Sequence, residues 1–196
     1  MSNYQLLIVC LSFLTLGDAV VYTRWGRTTC PGGTELVYTG RVGGTYYNQI
    51  GGGANYLCMP MTPDYVLPYQ NGIRGHAYVY GAEYQYPIRG GHDLNVPCAV
   101  CRSSRVDIMM IPAKAYCPRG WIREYYGYLM TEARGGGSNV RGRTMFECVD
   151  KYPEAIPGSY GNQDGVLFHH VEASCNGMPC PPYDPNKELN CVVCTK

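Results

Sequence analysis

Phenylalanine and tryptophan are nearly missing from this chain, with 3 Phe and 2 Trp among 196 residues. Charge is thin as well: 16 Lys and Arg stand against 15 Asp and Glu, and neither sign runs in blocks. That balance offers no footprint for nucleic acid or for an anionic membrane as partner. No apolar run approaches the roughly 20 residues that a spanning helix needs, so no membrane segment is expected. The longest run, residues 6–16, is broken by Cys10, Ser12 and Thr15 and is followed by Gly17, Asp18 and Ala19, small residues of the kind a signal peptidase reads. Residues 1–19 therefore read as a secretory signal, and the mature protein as secreted and extracellular.

Several chemistries are absent too. There is no Asn-x-Ser or Asn-x-Thr acceptor for N-glycosylation, no nucleophile elbow and no metalloprotease signature. The four histidines are His76, His92, His169 and His170, and adjacent side chains on an extended strand point to opposite faces, so the doublet is a poor chelator. Glu83 and Glu172 stand at equivalent places in a repeat described below, which suits a shared structural task better than an acid–base pair. No catalytic residue, no cofactor and no metal ligand is expected, and the protein reads as a non-enzyme. The glycines keep no three-residue period, which excludes a collagen triple helix within the chain.

What is abundant is 25 Gly, 14 Pro and 19 Tyr. Gly and Pro punctuate the chain every few residues and leave no room for long helices, while Tyr and Val between them read as short strands. The fold class expected is mainly β. Of 11 cysteines, Cys10 lies within the signal, leaving 10, an even number suited to five disulfides in an oxidising compartment.

Those ten cysteines fall into a repeat. Cys30-Pro31-Gly32-Gly33 and Cys117-Pro118-Arg119-Gly120 open two stretches 87 residues apart, and Cys, Pro, Gly, Tyr and Gly recur at identical offsets as far as Gly40 and Gly127. Each opening reads as a turn, a short strand and a second turn. Glycine-rich segments follow at 51–53 and 135–137, then Cys58 and Cys148, each with a proline five residues on and an acid beside it. Apolar-aromatic strands at 78–83 and 166–172 come next, and each copy closes on a Cys-x-x-Cys pair, Cys98 with Cys101 and Cys191 with Cys194. The second copy holds two further cysteines, Cys175 and Cys180, which suggest a small local loop. The link at 102–112 ends in an apolar run that reads as a strand. The chain is thus expected to hold two tandem homologous disulfide-stapled β subdomains, 20–105 and 106–196.

Two Cys-x-x-Cys pairs could instead clamp one zinc, or one pair could be a redox dithiol. The pairs lie 93 residues apart, six more cysteines need partners, and no helix follows Cys194, so a structural role is expected for all ten. Pairing among the four cysteines of the first copy stays open to three connectivities. A crosslink closing about 70 residues is worth up to about 4 kcal/mol by loop entropy.

Residues 25–31, 56–60, 79–83, 96–101, 117–130 and 189–196 resemble the C-terminal non-collagenous region of the spongin short-chain collagens. That region is itself similar to the duplicated C-terminal domain of type IV collagen, most clearly here at Cys117, Pro118, Gly120, Trp121 and Gly127. The resemblance implies the bridges Cys117–Cys194, Cys148–Cys191 and Cys175–Cys180, with Cys30–Cys101 and Cys58–Cys98 in the first copy. It also implies subdomains that exchange hairpins and associate as trimers or larger assemblies. Relatives join this region to a Gly-X-Y triple helix, whereas here the domain is expected to follow the signal directly. The function expected is a secreted structural or adhesive matrix component, a homo-oligomer that binds itself, matrix polymers or glycans. The alternatives are a soluble carbohydrate-binding recognition protein using exposed tyrosines and a component of a shell or skeletal organic matrix.

Overall fold

The computed structural model describes residues 19–66, 77–85, 92–133, 142–159 and 161–196. The expected signal at 1–19, His76 and the glycines at 135–137 fall outside these residues, apart from Ala19. Among the described residues all regular structure is β, in ten strands. In chain order they are β1 (Val20–Trp25), β2 (Glu35–Gly44), β3 (Leu57–Pro60), β4 (Tyr80–Tyr84), β5 (Pro97–Ser103), β6 (Ile108–Pro112), β7 (Ile122–Thr131), β8 (Glu147–Asp150), β9 (Val166–His170) and β10 (Asn190–Thr195). Five disulfides staple them: Cys30–Cys101, Cys58–Cys98, Cys117–Cys194, Cys148–Cys191 and Cys175–Cys180. These are the pairs that the resemblance implies.

One pairing scheme is used twice. β2 lies between β5 and β3 and also touches β4, and β7 lies in the same way between β10 and β8 and touches β9. β1 flanks β5 as β6 flanks β10. The registers coincide residue for residue: Val42 faces Cys58 as Leu129 faces Cys148, and Gly40 faces Cys98 as Gly127 faces Cys191. Even the irregularities recur, with a register shift past Leu36 and another past Arg123 on the partner ladders. Isolated bridges pair Glu83 with Asn95 and Glu172 with Glu188, again at matching positions.

Gly40 and Gly127 were expected to sit in second turns, yet both lie inside ten-residue strands. Their task is close approach. A Cβ on Gly40 would stand 2.1 Å from the Met59 carbonyl oxygen, and one on Gly127 1.8 Å from that of Val149. Strands two places apart in a flat sheet are about 10 Å apart. The bridges Cys58–Cys98 and Cys148–Cys191 span β2 and β7 with Cα–Cα distances of only 5.8 and 5.6 Å. β3 and β8 are therefore folded over their neighbours at these glycines, and only a residue with no side chain lets them cross.

The two halves do not bury separate cores. Trp25, Val42, Tyr56, Tyr84 and Val96 pack with Met130, Val149, Val166 and Phe168 in one cluster. Tyr22, Ala99 and Cys101 pack with Tyr125, Leu129, Cys148 and Val193 in the other. The stack of Tyr56 on Phe168, with centroids 4.1 Å apart and planes 11° from parallel, crosses the boundary. With so few Phe and Trp, tyrosine supplies the rings. Each buried phenol then finds an acceptor: Tyr56 donates to the Leu167 carbonyl, Tyr84 to that of Glu154 and Tyr125 to those of Thr23 and Cys148. The chain closes its halves together through two parallel contacts, β1 on β8 at Trp25 and Val149, and β4 on β9 over three residue pairs.

Candidate functional site

The ten described cysteines are all committed to bridges and offer no free thiol for chemistry. No group of three or more metal-ligating side chains occurs among the described residues. The doublet on β9 is split, as an extended strand requires. His169 stands 3.6 Å from the Glu132 carboxylate, and His170 packs edge-on against Tyr128 at 4.8 Å. Burial holds the His170 imidazole below its ordinary pKa. Glu83 and Glu172 keep equivalent backbone bridges but differ in role: the buried Glu83 carboxylate accepts the N–H groups of Gln163 and Asp164, at 2.9 and 3.1 Å, whereas Glu172 is exposed.

The most elaborate constellation is the joint where β1 meets β8. Arg24 donates from Nε and Nη2 to one oxygen of Asp150, at 2.8 and 2.6 Å, and the other oxygen of Asp150 accepts the Tyr152 N–H at 2.9 Å. The Trp25 indole N–H donates to Glu147 at 2.8 Å. Burial raises the Glu147 pKa, and the bond from Trp25 partly offsets this. Beyond β1, Thr28 gives its N–H and hydroxyl to Glu154, while the Glu154 N–H returns to the Gly26 carbonyl. Beneath the joint the buried Glu124 gathers the Tyr22 hydroxyl, Arg105 and the Thr195 hydroxyl, tying β1, the β5–β6 connection, β7 and β10 together. Asp150 is almost fully buried, so removing its cation strands a charge. Arg24→Ala is expected to cost about 3 kcal/mol in urea unfolding, with Arg24→Lys recovering part of it.

The doubled register identifies where the same joint would recur. Arg24 and Ile111 occupy equivalent positions, as do Trp25 and Pro112, opposite matching cysteine-strand residues. Asp150 matches Pro60, and Glu147 matches Leu57. At each place the polar pair that joins the halves is answered by an apolar pair. Among the described residues, neither the outer edge of β6 nor that of β3 has a strand partner. Around these edges Leu57, Met59, Met61, Val106, Ile108 and Met110 are all exposed. The second contact behaves likewise: Ala82 pairs with Val166, so its equivalent would bring Val171 against position 77. Tyr78 and Val79, beside position 77, are 59% and 53% exposed, and Glu172 and Ser174 also face outward.

The tyrosines divide between the core rings described above and rings nearer the surface. Tyr46, Tyr47, Tyr78 and Tyr80 form a surface cluster with successive centroids 4.8 to 6.2 Å apart. On the second half, Arg123 lies over Tyr126 at 4.7 Å and Lys151 over Tyr128 at 4.2 Å. A cleft of about 280 Å³ opens between Arg41, Asn95 and the 156–163 segment. No chain signal marked it, because its walls come from three distant places. The disulfide frame places the protein in an oxidising compartment, and no helix among the described residues is long and apolar enough to cross a membrane. A comparison of the chain with known protein-family models finds no match.

Proposed function

We propose that this is a secreted, non-enzymatic structural or adhesive protein of the extracellular matrix, built of two tandem homologous modules, that assembles head to tail. The β6 edge of one copy docks on the β3 edge of the next, repeating between chains the joint that β1 and β8 make within one. The observation that carries this reading is the exchange of Arg24–Asp150 and Trp25–Glu147 for Ile111–Pro60 and Pro112–Leu57 at two edges that have no strand partner among the described residues. A polar joint suits a contact closed once during folding. An apolar one suits surfaces that must find each other in water, and an uncovered apolar strand edge is otherwise a liability. Such a contact is heterologous, so it closes into a ring or runs on as a filament. The resemblance to the type IV collagen C-terminal domain supports the same reading.

The test restores the internal pair between chains. Native mass measurement of the purified protein is expected to give assemblies heavier than one chain. Ile111→Arg alone and Pro60→Asp alone are each expected to weaken association at least tenfold, because each sets a charge against an apolar edge. Mixing the two variants is expected to recover a pair of chains, held by an Arg–Asp contact like that of Arg24 with Asp150. A strict monomer at high concentration, or two single variants that assemble like the parent, would sink the proposal.

A further inference from the structure

The cleft beside Arg41 is not demanded by the duplicated scaffold. Arg41 on β2 corresponds to Tyr128 on β7, and Asn95 corresponds to Glu188. In the second half the Tyr128 ring is engaged by Lys151 and His170. In the first, the guanidinium of Arg41 is exposed at the cleft, with no carboxylate in ion-pair reach among the described residues. A frame that keeps every register therefore keeps a cation and a carboxamide here for some other reason.

The opposite wall is held firmly. The Asn95 N–H donates to Ser159 Oγ at 3.1 Å, the Ser159 hydroxyl donates to the Ile156 carbonyl at 2.6 Å, and the Ile156 N–H returns to the Asn95 carbonyl at 3.0 Å. Glu83 grips the far end through the N–H groups of Gln163 and Asp164. Asn162 holds a left-handed φ of 38°, and Gly158 one of 78° that a glycine adopts freely. None of these bonds uses the side-chain carboxamides of Asn95 and Gln163, two of the residues that line the cleft.

We propose that this cleft binds one acidic sugar unit, a ring bearing a carboxylate or a sulfate. Arg41 takes the anion through its planar fork of donors. The carboxamides of Asn95 and Gln163, each both donor and acceptor, match ring hydroxyls, which are the same. The volume of about 280 Å³ falls just below the usual span of drug-sized sites and suits a single ring. This goes beyond the assembly reading and does not rest on it: Arg41 lies on β2 opposite Met59 of β3, but the cleft is lined by neither of the residues substituted in the assembly test, Ile111 and Pro60.

The experiment titrates the whole mature protein by calorimetry with four probes: a heparin-derived tetrasaccharide, a hyaluronan tetrasaccharide, neutral chitotetraose and inorganic sulfate. At least one acidic saccharide is expected to bind tenfold or more tighter than chitotetraose and than sulfate alone. The sulfated and unsulfated arms then tell which anion Arg41 takes. Arg41→Gln is expected to weaken binding at least tenfold and Arg41→Lys less, while Arg123→Gln on the other half changes it under twofold. Should a variant fold poorly, amide shifts of the unaltered protein on titration must centre on residues 41, 95 and 163. Equal binding of neutral and acidic saccharides, sulfate binding as tightly as either, equal losses at Arg41 and Arg123, shifts centred elsewhere, or no acidic binding at all would each overturn the proposal.

Discussion

Gly127→Ala is expected to abolish folding or to cost more than about 4 kcal/mol, the range reserved for a few severe mechanisms. The added methyl would meet the Val149 carbonyl oxygen at 1.8 Å and the backbone of Asp150 and Lys151 at 2.7 Å. Real contacts of this kind need over 3 Å, so β7 and β8 must part by more than an ångström (about 1 Å or more by hard-sphere reasoning). Neither can yield freely: β7 is laddered to β10 on its other side, and Cys148–Cys191 bridges across it. Overpacking a flexible core costs about 1–3 kcal/mol, and here the obstacle is backbone on both sides. Gly120→Ala separates this crowding from simple strain. Gly120 also sits in the second half and has φ of 83°, but nothing lies within 4 Å of its Cβ position. Its cost should stay near about 1–2 kcal/mol. Urea unfolding of both variants, with non-reducing peptide mapping of Cys148–Cys191, checks the result. If Gly127→Ala folded with its bridge intact and within 1 kcal/mol (about a fivefold change in equilibrium constant) of Gly120→Ala, the crossing explanation would be wrong.

That glycine shows what the sequence could and could not convey. Its repeat with Gly40 was plain from the spacing, as were the β character, the strand at 108–112 and the even cysteine count. The reason for the glycine was not, because a Gly inside a Tyr- and Val-rich segment looks the same whether the chain turns there or is crossed by another strand. Residue 105 lies in the passage from β5 to β6. The cores disregard any division there, since Trp25 packs with Val149 and Tyr56 with Phe168 through contacts more than 100 residues apart, which no local pattern encodes. The docking edges were legible only in hindsight: Ile111 and Pro60 mean little until the register sets them beside Arg24 and Asp150. The cleft was hidden for the same reason, as Arg41, Asn95 and Gln163 come from three separate elements.

The tyrosines give the second large effect, which is expected as a steep loss of stability in alkali. Burial pushes the phenols of Tyr56, Tyr84 and Tyr125 well above their ordinary pKa of 10.0. Nearby carboxylates add to this, Glu154 and Asp150 for Tyr84, and Glu147 and Asp150 for Tyr125. Tyr22 shifts the same way through burial and its bond to Glu124. A group whose pKa is higher folded than unfolded stabilises fully below the unfolded value and loses that contribution as pH climbs past it toward the folded one. Above about 10, each such phenol sheds its proton in the unfolded chain but keeps it in the folded one, and each lowers stability by about 1.4 kcal/mol per pH unit. The three most buried act together, for about 4 kcal/mol per unit, so a domain holding about 5–15 kcal/mol should unfold within a few units. A phenol open to water in the folded state ionises alike folded and unfolded, and so without consequence for stability. Phenolate absorbance should therefore rise in two phases, the later one coinciding with loss of the β circular-dichroism signal and reversing on prompt return to neutral pH. A single phase near pH 10.0 with the fold retained would show that the buried rings are open to water, contrary to the hydrogen bonds that Tyr56 and Tyr125 make to the backbone.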